Sequence, residues 1–276
     1  MLDRPRRNRV TPFGTIEASL HRGRYLGNRG DLHMADGTLG RSWRVWRWIT
    51  CTLQGRNGYR VTFDRRGCYY PLFFADEAVA LAAGHRPCAQ CRRADFLRFR
   101  ASRRQAHGLP ADQFVSADEI DRALHPARID RNGHQVAHAV PLGDLPEGMF
   151  VTLTDAPEVP FLLWEGSLHP WIHQGYAVPH TARPDAMARV LTPLPTVSTL
   201  RASYRRCWMS CRQAERRPFP RQCHRPCRSD LRISARTLRE TRGWWSGRDW
   251  EVVGATGIEP VTPTMSTGRF SKVSKD

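Results

Sequence analysis

One short turn constrains the fold of this chain more than any other stretch. The sequence Gly-His-Arg-Pro-Cys-Ala-Gln-Cys carries Cys88 and Cys91, which form the one C-x-x-C pair of the 276 residues. Two cysteines at this spacing in a tight turn supply two of the four ligands of a tetrahedral zinc ion. Arg86, Arg92 and Arg93 surround the pair, and cationic neighbours lower the pKa of a thiol. The turn therefore predicts half of a metal site.

Two other interpretations of the same turn stay open. A redox C-x-x-C normally begins a helix directly after a strand, whereas a helix, Gly84 and Pro87 precede this pair. That order favours zinc. The third interpretation is a structural turn with two inert, buried thiols.

The remaining ligands have to come from elsewhere in the chain. The first 200 residues contain no second C-x-x-C. Cys51 is the best candidate because the predicted strand Trp43–Leu53 ends close to it and, at period two, turns it inward. The predicted structural zinc site therefore comprises Cys51, Cys88 and Cys91, with Cys68 or His33 as the fourth ligand.

The residues around this turn predict an α+β domain. Three strands joined by short turns, with Asn57-Gly58 as a hairpin signal, form an antiparallel meander. A short helix over 76–83 ends at Gly84, and a second helix runs over 92–107. The three predicted strands are Trp43–Leu53, Tyr59–Phe63 and Cys68–Phe74.

The second half of the chain predicts one capped helix followed by strands. Ser116 and Glu119 form a capping box for a helix that runs to about His125 and ends at Pro126. Five strands then predict a small β-rich part, either barrel-like or a curled sheet packed on the helices, and a last helix covers 195–202. The strands are His134–Val140, Met149–Thr154, Val159–Trp164, Trp171–Val178 and Ala188–Leu191. The predicted domains are a basic arm at 1–12, a zinc-knuckle α+β domain at 13–108, a helix and β-rich domain at 109–203, and a tail at 204–276.

The charge is unevenly placed. The formal net charge is +17, and it lies mainly in residues 1–100 and 201–276. Alternation in the Trp43 strand puts indoles beside guanidinium groups, a combination that suits stacking on bases and contact with phosphates. The predicted nucleic-acid-binding residues are Arg44, Trp46, Trp48, Arg86, Arg92 and Arg93. The competing interpretations are that a GC-rich gene encodes Arg for every cation and that the Trp side chains belong to the core.

The tail differs in texture from the rest of the chain. It is Arg-dense, lacks sustained periodicity and contains four of the eight cysteines. Its end, residues 254–267, resembles a peptide that recurs at the ends of bacterial predicted proteins. We therefore expect the tail to be a frameshift or read-through extension without a stable fold. No apolar run is long enough to span a bilayer and no secretory signal is evident, so a cytoplasmic protein without a membrane partner is expected.

The segment from Phe73 to Arg92 resembles the second half of the zinc-binding module of Ada-type DNA alkylation-repair proteins. That module has the same aromatic strand end, Ala-rich helix and Gly-x-Arg-Pro-Cys-x-x-Cys turn, which implies zinc at Cys88 and Cys91 and a DNA setting. The family's upstream C-x3-C pair, which includes the methyl-accepting cysteine, is missing here, so that role is carried over to no residue. A longer stretch, Asn8 to Ala202, resembles uncharacterised bacterial proteins. They share the Asn28-Arg29-Gly30 element, the Arg47-Trp48-Ile49-x-Cys51 element and the start of the turn over residues 84–91, which we call the Cys turn.

Together these features predict a zinc-stabilised nucleic-acid-binding protein, with DNA as the partner. One alternative is an enzyme, either in thiolate-dependent DNA repair or an undescribed hydrolase. Another is a protein-interaction module that uses zinc as a structural staple. Whether the chain catalyses a reaction is left open by the sequence.

Overall fold

The computed structural model describes residues 5–54, 61, 63, 67–202 and 204. These residues form an α+β fold with two mostly antiparallel sheets and four α-helices. The predicted hairpin turn near Asn57, most of the predicted strand Tyr59–Phe63 and residues 205–276 of the predicted tail lie outside the described residues.

The first sheet contains six strands from the first third of the chain. Their order is β2-β1-β5-β3-β4-β6, in which the pairs β1–β5 and β4–β6 are parallel. The strands are β1 (Arg7–Val10), β2 (Ile16–Ala18), β3 (Tyr25–Asn28), β4 (Ile49–Thr52), β5 (Leu72–Phe74) and β6 (Arg86–Pro87).

The second sheet contains seven strands, in the order β11-β10-β9-β8-β13-β7 with β12 paired to β10. No pairing among the described residues joins β11 to β7, so the barrel-like closure expected from the sequence is not seen there. The strands are β7 (His138–Pro141), β8 (Met149–Leu153), β9 (Ala156–Trp164), β10 (Ser167–Ile172), β11 (Gly175–Tyr176), β12 (His180–Thr181) and β13 (Met187–Val190).

The four helices are α1 (Glu77–Ala82), α2 (Arg93–Ala106), α3 (Ala117–Arg128) and α4 (Leu194–Arg201). Each was predicted from the sequence within a few residues. The Asp76 carboxylate caps α1 by accepting from the Val79 amide, and Ser116 and Glu119 form the predicted capping box of α3. Local capping signals therefore set most of the helix ends.

Helix α1 lies at the centre of the core. All six of its residues are buried, and it packs on β5 of the first sheet and β8 of the second. One cluster of buried side chains joins Phe74 of the first sheet to Phe150 and Trp164 of the second. The core therefore runs across the predicted domain boundary at residue 108.

Gly84 ends α1 and begins the Cys turn. Its φ of +80° is the left-handed conformation predicted for this position. A Cβ at Gly84 would lie 2.6 Å from Cδ of Arg128, so the absence of a side chain also makes room for that arginine. The same glycine thus serves both the helix end and the packing of α3.

The N-terminal residues depart from the sequence-based expectation. Arg7–Val10 is not part of a free arm, because it pairs with β2 and β5 inside the first sheet. Val10 is buried, and Tyr70 donates a hydrogen bond to the Arg7 carbonyl. The many arginines in this segment suggested a polar arm. The segment is instead the strand β1, whose alternate residues Asn8 and Val10 are buried.

The predicted meander is wrong in two respects. Residues 43–48 are a loop, since the Arg44 and Val45 amides both donate to the Arg29 carbonyl rather than to a neighbouring strand. The first sheet pairs β4 with β3 and β6, whereas β5 pairs with β3 and β1. Long-range pairing replaces the sequential order that short turns suggested.

Three further boundaries differ. Helix α3 continues through Pro126 to Arg128, held by hydrogen bonds from the Arg128 guanidinium to the Gly84 and Trp46 carbonyls. The predicted strand Trp171–Val178 is divided, because β10 and β11 pair with each other. Tyr204 is buried and donates to Glu77, so the fold includes the first residue of the predicted tail.

Candidate metal centre

The first half of the site arises where two short strands run in parallel. Ile49 of β4 pairs with Arg86 of β6, and the Cys88 amide donates to the Thr50 carbonyl at 2.9 Å. This register brings Cys51 and Cys88 side by side, each just past the paired positions. Cys51 therefore lies beside the Cys turn, as predicted. The cause is the parallel pairing of β4 with β6 rather than the expected antiparallel meander.

The three cysteines converge. The Sγ atoms of Cys51, Cys88 and Cys91 all lie within 4.8 Å of one another. A tetrahedral zinc ion with Zn–S bonds of about 2.3 Å sets its sulfurs about 3.8 Å apart, so the group fits a metal with little adjustment. Cys88 is buried, whereas Cys51 and Cys91 are half-buried.

The turn stabilises negative charge on one sulfur before the others. The Gln90 amide donates to the Cys88 sulfur at 3.4 Å, and hydrogen bonding with Cys51 and Cys91 adds to this interaction. These hydrogen bonds lower the pKa of Cys88, while hydrogen bonding to Cys88 raises the pKa of Cys51. This arrangement therefore favours negative charge on the Cys88 sulfur, and a bound cation would favour the thiolate forms of Cys51 and Cys91.

Neither proposed fourth ligand belongs to this group. The Nδ1 atom of His33 lies 2.7 Å from an oxygen of Asp31, and the ring packs on Tyr70. Cys68 is buried outside the three-cysteine group. The identity of a fourth ligand stays a prediction.

Arg92, the residue after Cys91, is held in the core by several contacts. Its guanidinium forms a buried ion pair with Glu77, donates to Asp95 at 2.8 Å and lies over the ring of Tyr25. The Tyr204 hydroxyl donates to Glu77 from the other side, at 2.9 Å. Arg92 is thus an internal tether of the turn and does not present itself to a phosphate.

Arg86 is also internal. Two of its nitrogens bind the two carboxylate oxygens of Asp121, at 2.9 and 2.6 Å, and both residues are buried. Burial raises the pKa of Asp121 although the Arg86 charge opposes that shift. This ion pair joins β6 to α3 and holds Arg86, two residues before Cys88, in a fixed position.

Trp48 lies between two buried arginines. The guanidinium carbons of Arg29 and Arg128 are 4.0 and 4.1 Å from its ring centroid. Arg29 donates to the Gly14 and Ser42 carbonyls and, at 3.2 Å, to Nε2 of His85. We call Arg29, Trp48 and Arg128 the Trp48 stack; it is inside the protein, so Trp48 cannot stack on a base.

The Trp48 stack is the feature that sequence reasoning missed. Burial lowers the pKa of both Arg29 and Arg128 to about 9, and no carboxylate ion-pairs with either among the described residues. A pattern of Trp and Arg in one segment predicts a surface, because charged groups are seldom buried without a charged partner. The sequence feature that relates to this packing is Gly84, because a side chain at that position would collide with Arg128.

His85 makes the stability of this region depend on pH. Burial, and then the charges of Arg29 and Arg128, hold the pKa of His85 well below its usual 6.5. The unfolded chain therefore binds this proton more readily than the folded protein does. The contribution of the neutral His85 to the free energy of unfolding is therefore fully present above about pH 6.5. Below that pH the free energy of unfolding falls by up to about 1.4 kcal/mol per pH unit.

Urea unfolding between about pH 7.5 and pH 5.5, in the presence of a chelator, measures this effect. The variant His85→Gln keeps a hydrogen-bond acceptor for Arg29 but does not titrate. Its free energy of unfolding should therefore depend less steeply on pH, by the equivalent of about one bound proton at the acid end of this range. Equal slopes for both proteins would show that His85 is not the group responsible.

Part of the predicted Arg–Trp surface is exposed. Trp46 is half-buried, with the guanidinium carbons of Arg122 and Arg47 at 5.4 and 5.9 Å from its ring. Arg44 and Arg93 are exposed. We call Arg44, Trp46, Arg47 and Arg122 the Trp46 surface.

Within the described residues, no helix combines the length and apolarity needed to cross a bilayer. Comparison with known proteins gives no relative: no family model matches the chain, and neither a curated protein nor a solved structure is significantly similar to it.

Proposed function

We propose that this is a zinc-stabilised nucleic-acid-binding protein. The convergence of Cys51, Cys88 and Cys91 carries the metal part of the proposal. A cluster of thiolates favours soft or borderline cations, and zinc is the most common of these in structural sites. When bound, the ion would join β4, β6 and the start of α2 into one unit.

The Trp46 surface is the proposed contact with nucleic acid. Arg44 is exposed on a loop that leads directly into β4, and Trp46 is half-buried with the guanidinium groups of Arg47 and Arg122 over its ring. Arginine contacts to phosphates supply affinity, and stacking on an aromatic ring holds a base without demanding a particular sequence. The metal site fixes the strand from which this loop emerges.

Titration of the full chain with labelled single-stranded and duplex DNA at two salt concentrations tests this proposal. Affinity should fall steeply with salt, because each phosphate contact releases a counterion. Trp46→Ala should weaken binding by about 1–3 kcal/mol where a base stacks on the ring. Arg189→Gln removes an exposed charge from β13 and is the matched control.

Salt-independent binding, or equal affinities for Trp46→Ala and wild type, would contradict the proposed surface. RNA of the same sequence distinguishes the two types of nucleic acid.

Thiolate-dependent DNA repair is the second candidate function. The half-buried state of Cys51 and Cys91 favours it, since a methyl-accepting sulfur has to reach the alkylated group. Incubation with alkylated DNA and mass spectrometry of the cysteine-containing peptides would detect a transferred methyl group. Activity that survives Cys51→Ser and Cys91→Ser would exclude both sulfurs as acceptors.

A further inference from the structure

The outer face of α2 is a second basic surface that the proposed function does not use as a whole. Positions 93, 97, 100 and 104 follow the i, i+4, i+7, i+11 spacing of one helical face. They hold Arg93, Leu97, Arg100 and Arg104, of which the first two are exposed and the last two are half-buried. The buried Phe96 and Phe99 lie to one side of this face. We call these four residues the α2 basic face.

The charges on this face are close together and uncompensated. Burial, and then the neighbouring charges of Arg104 and Arg93, lower the pKa of Arg100, so the charges of both neighbours act on Arg100. Among the described residues, no acidic side chain forms an ion pair with Arg93, Arg100 or Arg104. Repulsion of this kind is relieved when a polyanion binds.

Two acids near this face, Asp95 and Glu119, have other partners. Asp95 pairs with Arg92 and Arg98. Glu119 accepts from the Ser116 amide in the capping box of α3. Neither of these two acids forms an ion pair with the α2 basic face.

Phe114 adds an exposed aromatic ring to the same place. Its side chain is 69% exposed, and the Arg100 guanidinium carbon lies 5.1 Å from its ring centroid. Leu97 on the helix is 37% exposed. Solvent-exposed phenylalanine beside arginine is the combination that single-strand-binding proteins use to stack one base and hold the adjoining phosphates.

We propose that the α2 basic face and Phe114 bind single-stranded nucleic acid. Arg93, Arg100 and Arg104 contact successive phosphates along about 16 Å of helix, and Phe114 stacks on an unpaired base. A duplex keeps its bases stacked on one another, so the phenylalanine gains this contact only from a single strand. The inference rests on the proposed function and adds to it a strand preference and a second contact surface.

Fluorescence anisotropy of a labelled oligonucleotide of about 12 nucleotides, with the full chain, tests the inference. Phe114→Ala should weaken single-strand binding by about 5- to 100-fold and leave duplex binding unchanged. The double variant Arg100→Gln and Arg104→Gln should lower the slope of log affinity against log salt by about 1.4 for a single strand. Val178→Ala and Arg189→Gln, exposed positions in the second half of the chain, are the matched controls.

The outcomes separate this inference from the proposed function. Binding that is lost in Trp46→Ala but unchanged in Phe114→Ala and in the double-arginine variant would overturn the inference and leave the proposed function intact. A wild-type chain that binds no nucleic acid would overturn both. Equal losses of single-strand and duplex affinity in Phe114→Ala would overturn the strand preference, and binding to anionic vesicles in place of nucleic acid would overturn the inference.

Discussion

Cys88→Ser is expected to release the metal and to destabilise the fold. Cys88 is the buried cysteine of the three, and the Gln90 amide of the turn donates to its sulfur. Metal binding by such a turn is coupled to folding, with apparent energies for structural zinc on the order of 10 kcal/mol. We expect the zinc content to fall by about one ion per chain and the free energy of unfolding to fall by several kcal/mol.

Elemental analysis of the purified full chain and urea unfolding with and without a chelator provide the measurements. Cys68→Ser is the matched control, because Cys68 is equally buried but lies outside the three-cysteine group. It should cost about 1–2 kcal/mol and retain the zinc. Loss of zinc from Cys68→Ser, or from His33→Gln, would identify that residue as the fourth ligand. A zinc content unchanged in Cys88→Ser would contradict the metal site.

Trp48→Ala is expected to be the most destabilising substitution outside the cysteines. The indole is 2% exposed and separates two buried guanidinium groups. Removal of a buried tryptophan costs about 3–5 kcal/mol through lost burial and a residual cavity. Loss of the two cation–π contacts leaves the charges of Arg29 and Arg128 without their aromatic partner. We expect about 4 kcal/mol from urea unfolding.

Trp46→Ala provides the opposite pattern and serves as the control. Trp46 is half-buried at the surface, so its removal should cost about 1 kcal/mol of stability but weaken nucleic-acid binding. Trp48→Ala should also accelerate zinc loss to a chelator. The Trp48 ring packs on the His85 ring, and each of these residues precedes one of the cysteines, Cys51 or Cys88, by three positions. Loss of the indole should therefore loosen both segments that carry these cysteines. A stable Trp48→Ala protein with weakened nucleic-acid binding would instead place Trp48 at the surface.

Features that depend on local sequence could be predicted. The cap at Asp76, the left-handed Gly84 and the capping box at Ser116 each determine the backbone through contacts within a few residues. The α+β class followed from the same signals. Cys51 was also correctly placed beside the Cys turn, although for a different reason from the one expected.

Arg86 and Arg92 show where local reasoning ended. Their positions beside the cysteines suggested a surface field, but their partners Asp121 and Glu77 are 35 and 15 residues away in the chain. Arg86 and Arg92 are internal because each has a buried carboxylate partner, whereas Arg29 and Arg128 are internal because backbone carbonyls accept from them. The sequence shows the arginines but not which carboxylates reach them.

The sequence by itself determined the helices, the two thiols of the Cys turn and the overall excess of positive charge, because each depends on residues close together in the chain. The tertiary structure alone decided that β4 and β6 run in parallel, that Trp48 is buried and that Trp46 is only half-buried. Those outcomes depend on contacts between distant segments, in which Arg29 and Arg128 bind backbone carbonyls of loops that precede or follow them by many residues. Burial of a charge is favourable only when such partners converge, and convergence is a property of the folded chain.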